Sequence, residues 1–455
     1  MGGALLTDLY ELKMAASYLR HRMTDQATFS LFTRKLPPGR GFLVTAGLAD
    51  CLDFLESLSF DRDDLAYLAE VERFPPETLE AFKRLRFTGE VRAIPEGHVV
   101  YAGEPLLEVT APIAEAQLVE TVLLNHMTFQ TSVAAKAARC VLAADGADLI
   151  DFAFRRTQGI DAAMAVARAT AIAGFSATSN VEAARRYGLR AVGTMAHSYI
   201  EAFPDERAAF ETFALDHPGK TTFLVDTYDT VTGVRTAIAV TRRLRLPGTV
   251  GVRLDSGDLG ELARQSRRLL DASGLRDAHI IVSGGLDEYA IAALVAQNAP
   301  IDAYAVGTKV GVAADAPYLD SAYKLVEYGD RPVMKLSAGK ATMPGKKQVF
   351  RGSHADIVGL RSEKPPLGHV PLLVPVMRGG RRLSPAEPLT AVSKRCTTDL
   401  ARLPELARAL YEPAPTPVHH SPLLIGLRTQ VQAALAGRTG AHNGTKDRAA
   451  KDQIP

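Results

Sequence analysis

Between Gly146 and Tyr328 short apolar runs alternate with stretches of helical period such as Glu261 to Ala272 and Asp287 to Gln297. The runs occupy 148–154, 171–175, 189–195, 221–226, 249–254, 278–283, 301–306 and 322–327. Each is apolar on both faces and meets polar residues only at its C-terminal end, the pattern of a buried parallel strand followed by a helix. Eight such units predict a closed parallel barrel in preference to an open sheet. The run at 171–175 is the least strand-like, so the barrel is expected to be irregular.

The flanks have a different rhythm. Leu9, Leu12, Ala16 and Leu19 recur at helical spacing, and strands are predicted at 27–34 and 42–46 around the turn-forming Leu36-Pro37-Pro38-Gly39-Arg40-Gly41. Segments 87–94 and 98–110 read as further strands, and 115–144 as helix. Strand rhythm returns at 332–336, 347–350 and 370–377. The expected fold is therefore α/β: an irregular (β/α) barrel at 115–328, joined to a β-rich domain built from 1–114 and 329–412. The Pro-rich 413–417 opens an extended tail, polar and expected to be disordered from Gly437 onward.

Composition narrows the class. With 455 residues and 47% apolar content, one barrel and a smaller domain can both bury a core. Fifty-three basic against 51 acidic side chains leave no field of one sign, which argues against nucleic acid and membrane surfaces as partners. Cys51, Cys140 and Cys396 are far apart and lack CxxC spacing, as expected of a reducing cytoplasm. No signal peptide or membrane span is expected.

The candidate chemistry lies at strand ends. Gly193-Thr194-Met195-Ala196-His197-Ser198 supplies a histidine, and Asp226, Asp229, Asp255 and Asp258 end two successive strands. Carboxylates there can hold ribose hydroxyls, a divalent cation or an imidazolium, or can simply cap helices. Arg253, within its strand, needs an anionic partner. Phe152 and Phe154 with Arg155 and Arg156 can flank a flat ring and hold an anion. Ser179 lies among small hydroxyl residues before a helix, where capping is the simpler role. Gly284-Gly285 and Gly307-Thr308 end late strands with turns whose N–H groups can bind phosphate. Lys335, Lys340, Lys346 and Lys347 form a basic loop able to cover a polyphosphate, or a solvated one. Histidine, carboxylates, arginine and small residues together suit a phosphorylated-sugar site.

With these residues laid out, the chain resembles the nicotinate phosphoribosyltransferase family over roughly residues 4–352. The resemblance rests on Leu5-Leu6-Thr7-Asp8-Leu9-Tyr10-Glu11-Leu12, on 34–42, on Thr178-Ser179-Asn180-Val181, and on 193–198, 225–230, 252–259 and 335–348. It implies an ATP-coupled enzyme of the ligase class. Nicotinate and phosphoribosyl pyrophosphate are joined with Mg²⁺, and pyrophosphate is released. It also implies a homodimer with shared active sites.

Carried over motif by motif, His197 would be a phosphohistidine and Asp226 its orienting partner. Phe152 and Tyr10, the latter from the neighbouring subunit, would sandwich the pyridine ring, with Arg253 and Thr194 beside it. Asp255 would hold the ribose, while Arg155, Gly284, Gly285, Gly307 and Thr308 would take phosphates. Related nicotinamide-using enzymes carry aspartate at the place of Ser179, so Ser179 favours nicotinate. They also carry glutamate where this chain has Ala196. Two rivals remain: a non-catalytic nicotinate- or nucleotide-binding dimer, and a sugar-phosphate aldolase or isomerase using Lys309 or Lys324.

Overall fold

The computed structural model describes residues 3–219, 221–337 and 342–449, with side chains described as far as 436. The N-terminal part runs α1 (Leu9–Arg20), β1 (Gln26–Thr33), β2 (Leu43–Val44), α2 (Leu48–Ser57), α3 (Arg62–Glu70), α4 (Pro76–Arg84), β3 (Glu90–Ala93), β4 (Val99–Val100) and β5 (Pro105–Pro112). Helices α5 (Ile113–Leu118) and α6 (Glu120–Ala143) then lead into the parallel sheet.

That sheet has six strands: β6 (Asp148–Asp151), β7 (Ala177–Thr178), β8 (Thr222–Leu224), β9 (Gly251–Leu254), β10 (His279–Val282) and β11 (Ala303–Val306), in the order β7-β6-β11-β10-β9-β8. All neighbours pair in parallel, giving a curled half-barrel. The expected eight-strand closure is not formed among the described residues. Residues 171–173 complete α7 (Ile160–Ala173), and the strand comes later, at β7. A helix buried on nearly every face, as the end of α7 is, has no polar stripe to separate it from a buried strand. The run at 189–195 makes a single bridge, Thr178 to Ala191. The run at 322–327 belongs to β12 (Ser321–Tyr328), which pairs antiparallel with β1 and lies in the other sheet. Three of its eight residues, Ala322, Tyr323 and Val326, are buried and the other five are half-exposed, so it is not enclosed on both faces as the parallel strands are.

The second sheet has seven strands and draws on both ends of the chain. Beyond β12 come β13 (Arg331–Pro332), β14 (Lys347–Arg351), β15 (Asp356–Leu360), β16 (Val370–Pro371), β17 (Val374–Arg378), β18 (Arg381–Arg382) and β19 (Val418–His420). The sheet order is β13-β12-β1-β5-β3-β17-β18, so β17 is hydrogen-bonded to β3 across more than 280 residues of chain. The tail departs from expectation. β19 pairs with β15, and Pro422–Ala449 is helical with Leu424 fully buried beneath its first turn. Apolar Leu424 and Leu427, three residues apart on one helix face, give that segment a face to dock. Side chains from 437, and residues 450–455, lie outside the described residues, as does Lys340.

One apolar core surrounds the parallel sheet and another the seven-stranded sheet. Helix α6 enters both: Val133, Ala134, Ala137 and Ala138 pack into the first, Met127 and Ala135 into the second.

Candidate active site

Parallel strands all end on one side, so β6, β8, β9, β10 and β11 deliver their C-terminal turns to a common edge. Arg253, the third residue of β9, organises that edge. It is only 8% exposed, and each guanidinium nitrogen has a partner. Nε donates to Ser283 Oγ at 2.8 Å, one terminal nitrogen to Thr194 Oγ1 at 3.2 Å, and the other to Asp255 Oδ1 at 2.7 Å. The guanidinium carbon lies 5.3 Å from the centre of the Phe152 ring. The structure thus brings together Phe152, Thr194, Arg253 and Asp255, four of the residues expected from sequence, and adds Ser283.

Asp255 is held as a carboxylate. Burial pushes its pKa up, but hydrogen bonds from Ser283 and Arg253 and the nearby charges of Arg253 and His197 outweigh burial, and the net shift is downward. Asp226 holds the backbone beneath it. One of its oxygens accepts from the Asp255 N–H at 2.9 Å and from Ser256 Oγ at 2.7 Å, while Oδ1 is buried without a hydrogen-bond partner among the described residues. The expected Asp226 to His197 contact is therefore corrected: His197 Nδ1 meets Thr227 Oγ1 at 3.1 Å. The Oδ2 atom of Asp226 is thus committed to two donors of the next strand end.

The glycine turns are fitted closely. Gly284 has φ +92°, and a Cβ there would stand 2.1 Å from the Asp255 carbonyl oxygen. At Gly307 a Cβ would meet the Phe152 carbonyl oxygen at 3.1 Å. Gly285, also at positive φ, and Thr308, at the start of α14 (Thr308–Gly311), continue these turns. Asp151 ties the end of β6 to β7 by accepting from Thr178 Oγ1 at 2.7 Å and from Ala153 N–H, while burial raises its pKa. Ser179 is held there too, its N–H donating to the Asp151 carbonyl at 2.8 Å. The cap of α8 (Val181–Tyr187) is Asn180, which leaves the Ser179 hydroxyl outside that role.

Other expectations separate. Asp229 caps α11 (Thr230–Leu244) and Asp258 caps α12 (Leu259–Ala272), so the simpler reading holds for these two. Asp258→Ala is expected to cost about 1 kcal/mol of stability, the usual worth of a cap, with turnover unchanged. Urea denaturation beside an activity assay checks this, and lost turnover at full stability would return Asp258 to the site. Arg155 is exposed on the 3₁₀ turn Phe154–Arg156. Tyr10 is not with Phe152: 47% exposed on α1, it lines a separate cavity with Asp8, Glu120 and Tyr318. In the basic loop Lys346 pairs with Glu327 at 2.7 Å, and Lys347 is buried, donating to the Gly345 carbonyl at 2.8 Å and lying 3.5 Å from Glu108. Lys309 pairs with Asp287 at 2.7 Å, and Lys324 lies 3.9 Å from Glu120.

A cavity of about 660 Å³ opens at the N-terminal ends of the parallel strands, where Asp148, His279 and Asp302 line its mouth. Ile150, Thr222, Gly251, Ile281 and Ala303 line it, and Thr194 joins it to the Arg253 cluster. Among the described residues no three His, Cys, Asp or Glu side chains are grouped to hold a metal ion.

Comparison with known proteins agrees with this geometry. Residues 5–128 match the nicotinate phosphoribosyltransferase N-terminal domain, and residues 147–309 match the nicotinate phosphoribosyltransferase family. A Mycobacterium tuberculosis protein named nicotinate phosphoribosyltransferase pncB2 is 46% identical, over 100% of this chain and 98% of its own length. The Bacillus subtilis nicotinate phosphoribosyltransferase is 42% identical over 76% of this chain and 73% of its own. The crystal structure of human nicotinic acid phosphoribosyltransferase superposes with a TM-score of 0.83 at 28% identity, covering 93% of this chain and 99% of the human one. Motifs, fold and relatives converge, and the chain belongs to the nicotinate phosphoribosyltransferase family.

Proposed function

We propose that this chain transfers the phosphoribosyl group of phosphoribosyl pyrophosphate to the ring nitrogen of nicotinate, in NAD salvage, with ATP hydrolysis coupled through His197. The observation that carries the reading is Arg253, fixed over the Phe152 ring with Thr194 at hand. An aromatic face beside an immobilised guanidinium and a hydroxyl fits a flat ring bearing a carboxylate.

As the bond from the anomeric carbon to pyrophosphate breaks, the ribose gains oxocarbenium character, and the ring nitrogen supplies the electron pair of the new bond. Charged Asp255 holds the ribose hydroxyls and stabilises the developing cation. N–H groups of the Gly284-Gly285 and Gly307-Thr308 turns, with Arg155, receive the phosphates. Mg²⁺, which favours phosphate oxygens and water, would accompany the pyrophosphate and screen its charge.

For the coupled step, Thr227 accepts the Nδ1 proton of His197, leaving the Nε2 lone pair to attack the γ-phosphorus of ATP with ADP as leaving group. A homodimer supplies the second face for the pyridine ring: Tyr10 of the partner subunit. The exposure of Tyr10 within its own chain supports this arrangement. No helix of the described residues is long and apolar enough to cross a membrane. The buried free thiols of Cys51, Cys140 and Cys396 fit a reducing cytoplasm.

Product formation from phosphoribosyl pyrophosphate and Mg²⁺ with nicotinate or nicotinamide, each with and without ATP, tests the reading. Nicotinate mononucleotide is expected, formed faster with ATP. No turnover with either base, from a folded protein that binds nicotinate, would favour the non-catalytic binder instead.

A further inference from the structure

Ser283 closes a ring of contacts that the roles assigned above leave unexplained. It is the first residue after β10, 3% exposed, and its backbone N–H donates to the Leu254 carbonyl of β9 at 2.9 Å. Its hydroxyl lies 2.8 Å from Arg253 Nε and makes a short hydrogen bond to Asp255 Oδ1. Arg253 and Asp255 also touch each other directly, so the three side chains form a closed triangle.

We propose that Ser283 is a positioning residue of the active site, whose hydroxyl holds Arg253 and Asp255 in one relative orientation. The direction of each bond follows from chemistry. A guanidinium Nε carries a proton and no lone pair, so the serine oxygen accepts there and its own proton goes to the carboxylate. Asp255 Oδ1 then takes two donors, Ser283 and Arg253, and Oδ2 is the oxygen left for a ribose hydroxyl. Gly284 locks the arrangement from behind, since its turn lies against the Asp255 carbonyl closely enough to exclude any side chain. Ser283 thus couples the base site, through Arg253, to the ribose site, through Asp255, although it touches neither substrate.

The inference rests on the reading that Asp255 holds the ribose, so the test carries Asp255→Asn as a reference beside Ser283→Ala and Ser283→Cys. Cysteine fills nearly the same volume with a much weaker donor, which separates hydrogen bonding from packing. Ser283→Ala and Ser283→Cys are both expected to lower kcat/KM for phosphoribosyl pyrophosphate about ten- to a hundredfold, the range for a lost hydrogen bond to a charged group. The acid limb of the kcat/KM profile should move to higher pH, because Asp255 loses a bond that favours its charged form. Charged and titratable groups facing Asp255 are Arg253 on β9, Asp226 after β8 and His197 at the start of α9 (His197–Glu201), and all three remain in these variants. A loss of packing alone would lower the thermal midpoint without moving the limb. Near-normal kcat/KM and an unmoved limb in both variants, with Asp255→Asn impaired, would overturn the role of Ser283. An Asp255→Asn enzyme with unchanged KM for phosphoribosyl pyrophosphate would remove the ribose assignment itself, and this inference with it.

Discussion

Arg253→Ala is expected to lower kcat/KM for nicotinate by roughly 10²–10³-fold, the scale of losing one fixed charge-stabilising donor. Two losses add. The cation that would meet the nicotinate carboxylate is gone, and Ser283 and Asp255 lose the group between them. Removing one member of a fully buried ion pair costs about 3–5 kcal/mol of stability. Here the Asp255 side chain is 31% exposed, so water recovers part of that and a smaller loss is expected. Arg253→Lys should recover little, because a single ammonium cannot reach Ser283, Thr194 and Asp255 in the planar fork that guanidinium provides. Steady-state kinetics with a thermal melt separate the two effects. A wild-type KM for nicotinate in folded Arg253→Ala would remove Arg253 from the base site.

His197→Ala should abolish the stimulation by ATP while leaving the slow ATP-independent synthesis. His197 stands at the start of α9 with its ring against Thr227, and among the described residues no hydrogen bond joins it to the Phe152, Arg253 and Ser283 cluster. The groups assigned to the base and ribose therefore keep their hydrogen bonds in this variant, and Asp255 loses only the neighbouring charge of His197. Transfer of radiolabel from γ-labelled ATP to protein should vanish in the same variant. Loss of both activities with the fold intact would show that coupling and bond cleavage share this histidine.

The site was more legible in the sequence than the barrel that carries it. Phe152, Thr194, Arg253 and Asp255 stand out because polar residues interrupt apolar runs at strand ends, and a parallel sheet gathers such ends by construction. Thr227 and Ser283 sit at the same strand ends but gave no signal of role, since a hydroxyl matters only through neighbours that are distant in the chain. Strand count failed where local pattern is ambiguous: Ala171-Ile172-Ala173 is apolar in any conformation, and the run at 322–327 is claimed by β1. Helices α2 to α4 went unread inside a segment taken as β-rich. Yet Asp61 and Asp64 form a reciprocal capping box at the start of α3, and Pro76 opens α4, both local signs of a helix start. Tyr10 could not be located from one chain, because its expected contact belongs to an assembly.

Helix α6 gives the molecule a mechanical property of its own. Its 24 residues extend about 36 Å and are keyed into both apolar cores, while β12 and β17 stitch late chain segments onto early strands. Neither half can melt without exposing a face of the shared helix, which couples the unfolding of one core to that of the other. The half that carries Arg253 is accordingly no autonomous folding unit: cut free with α6, it would leave the Met127 and Ala135 flank of that helix bare.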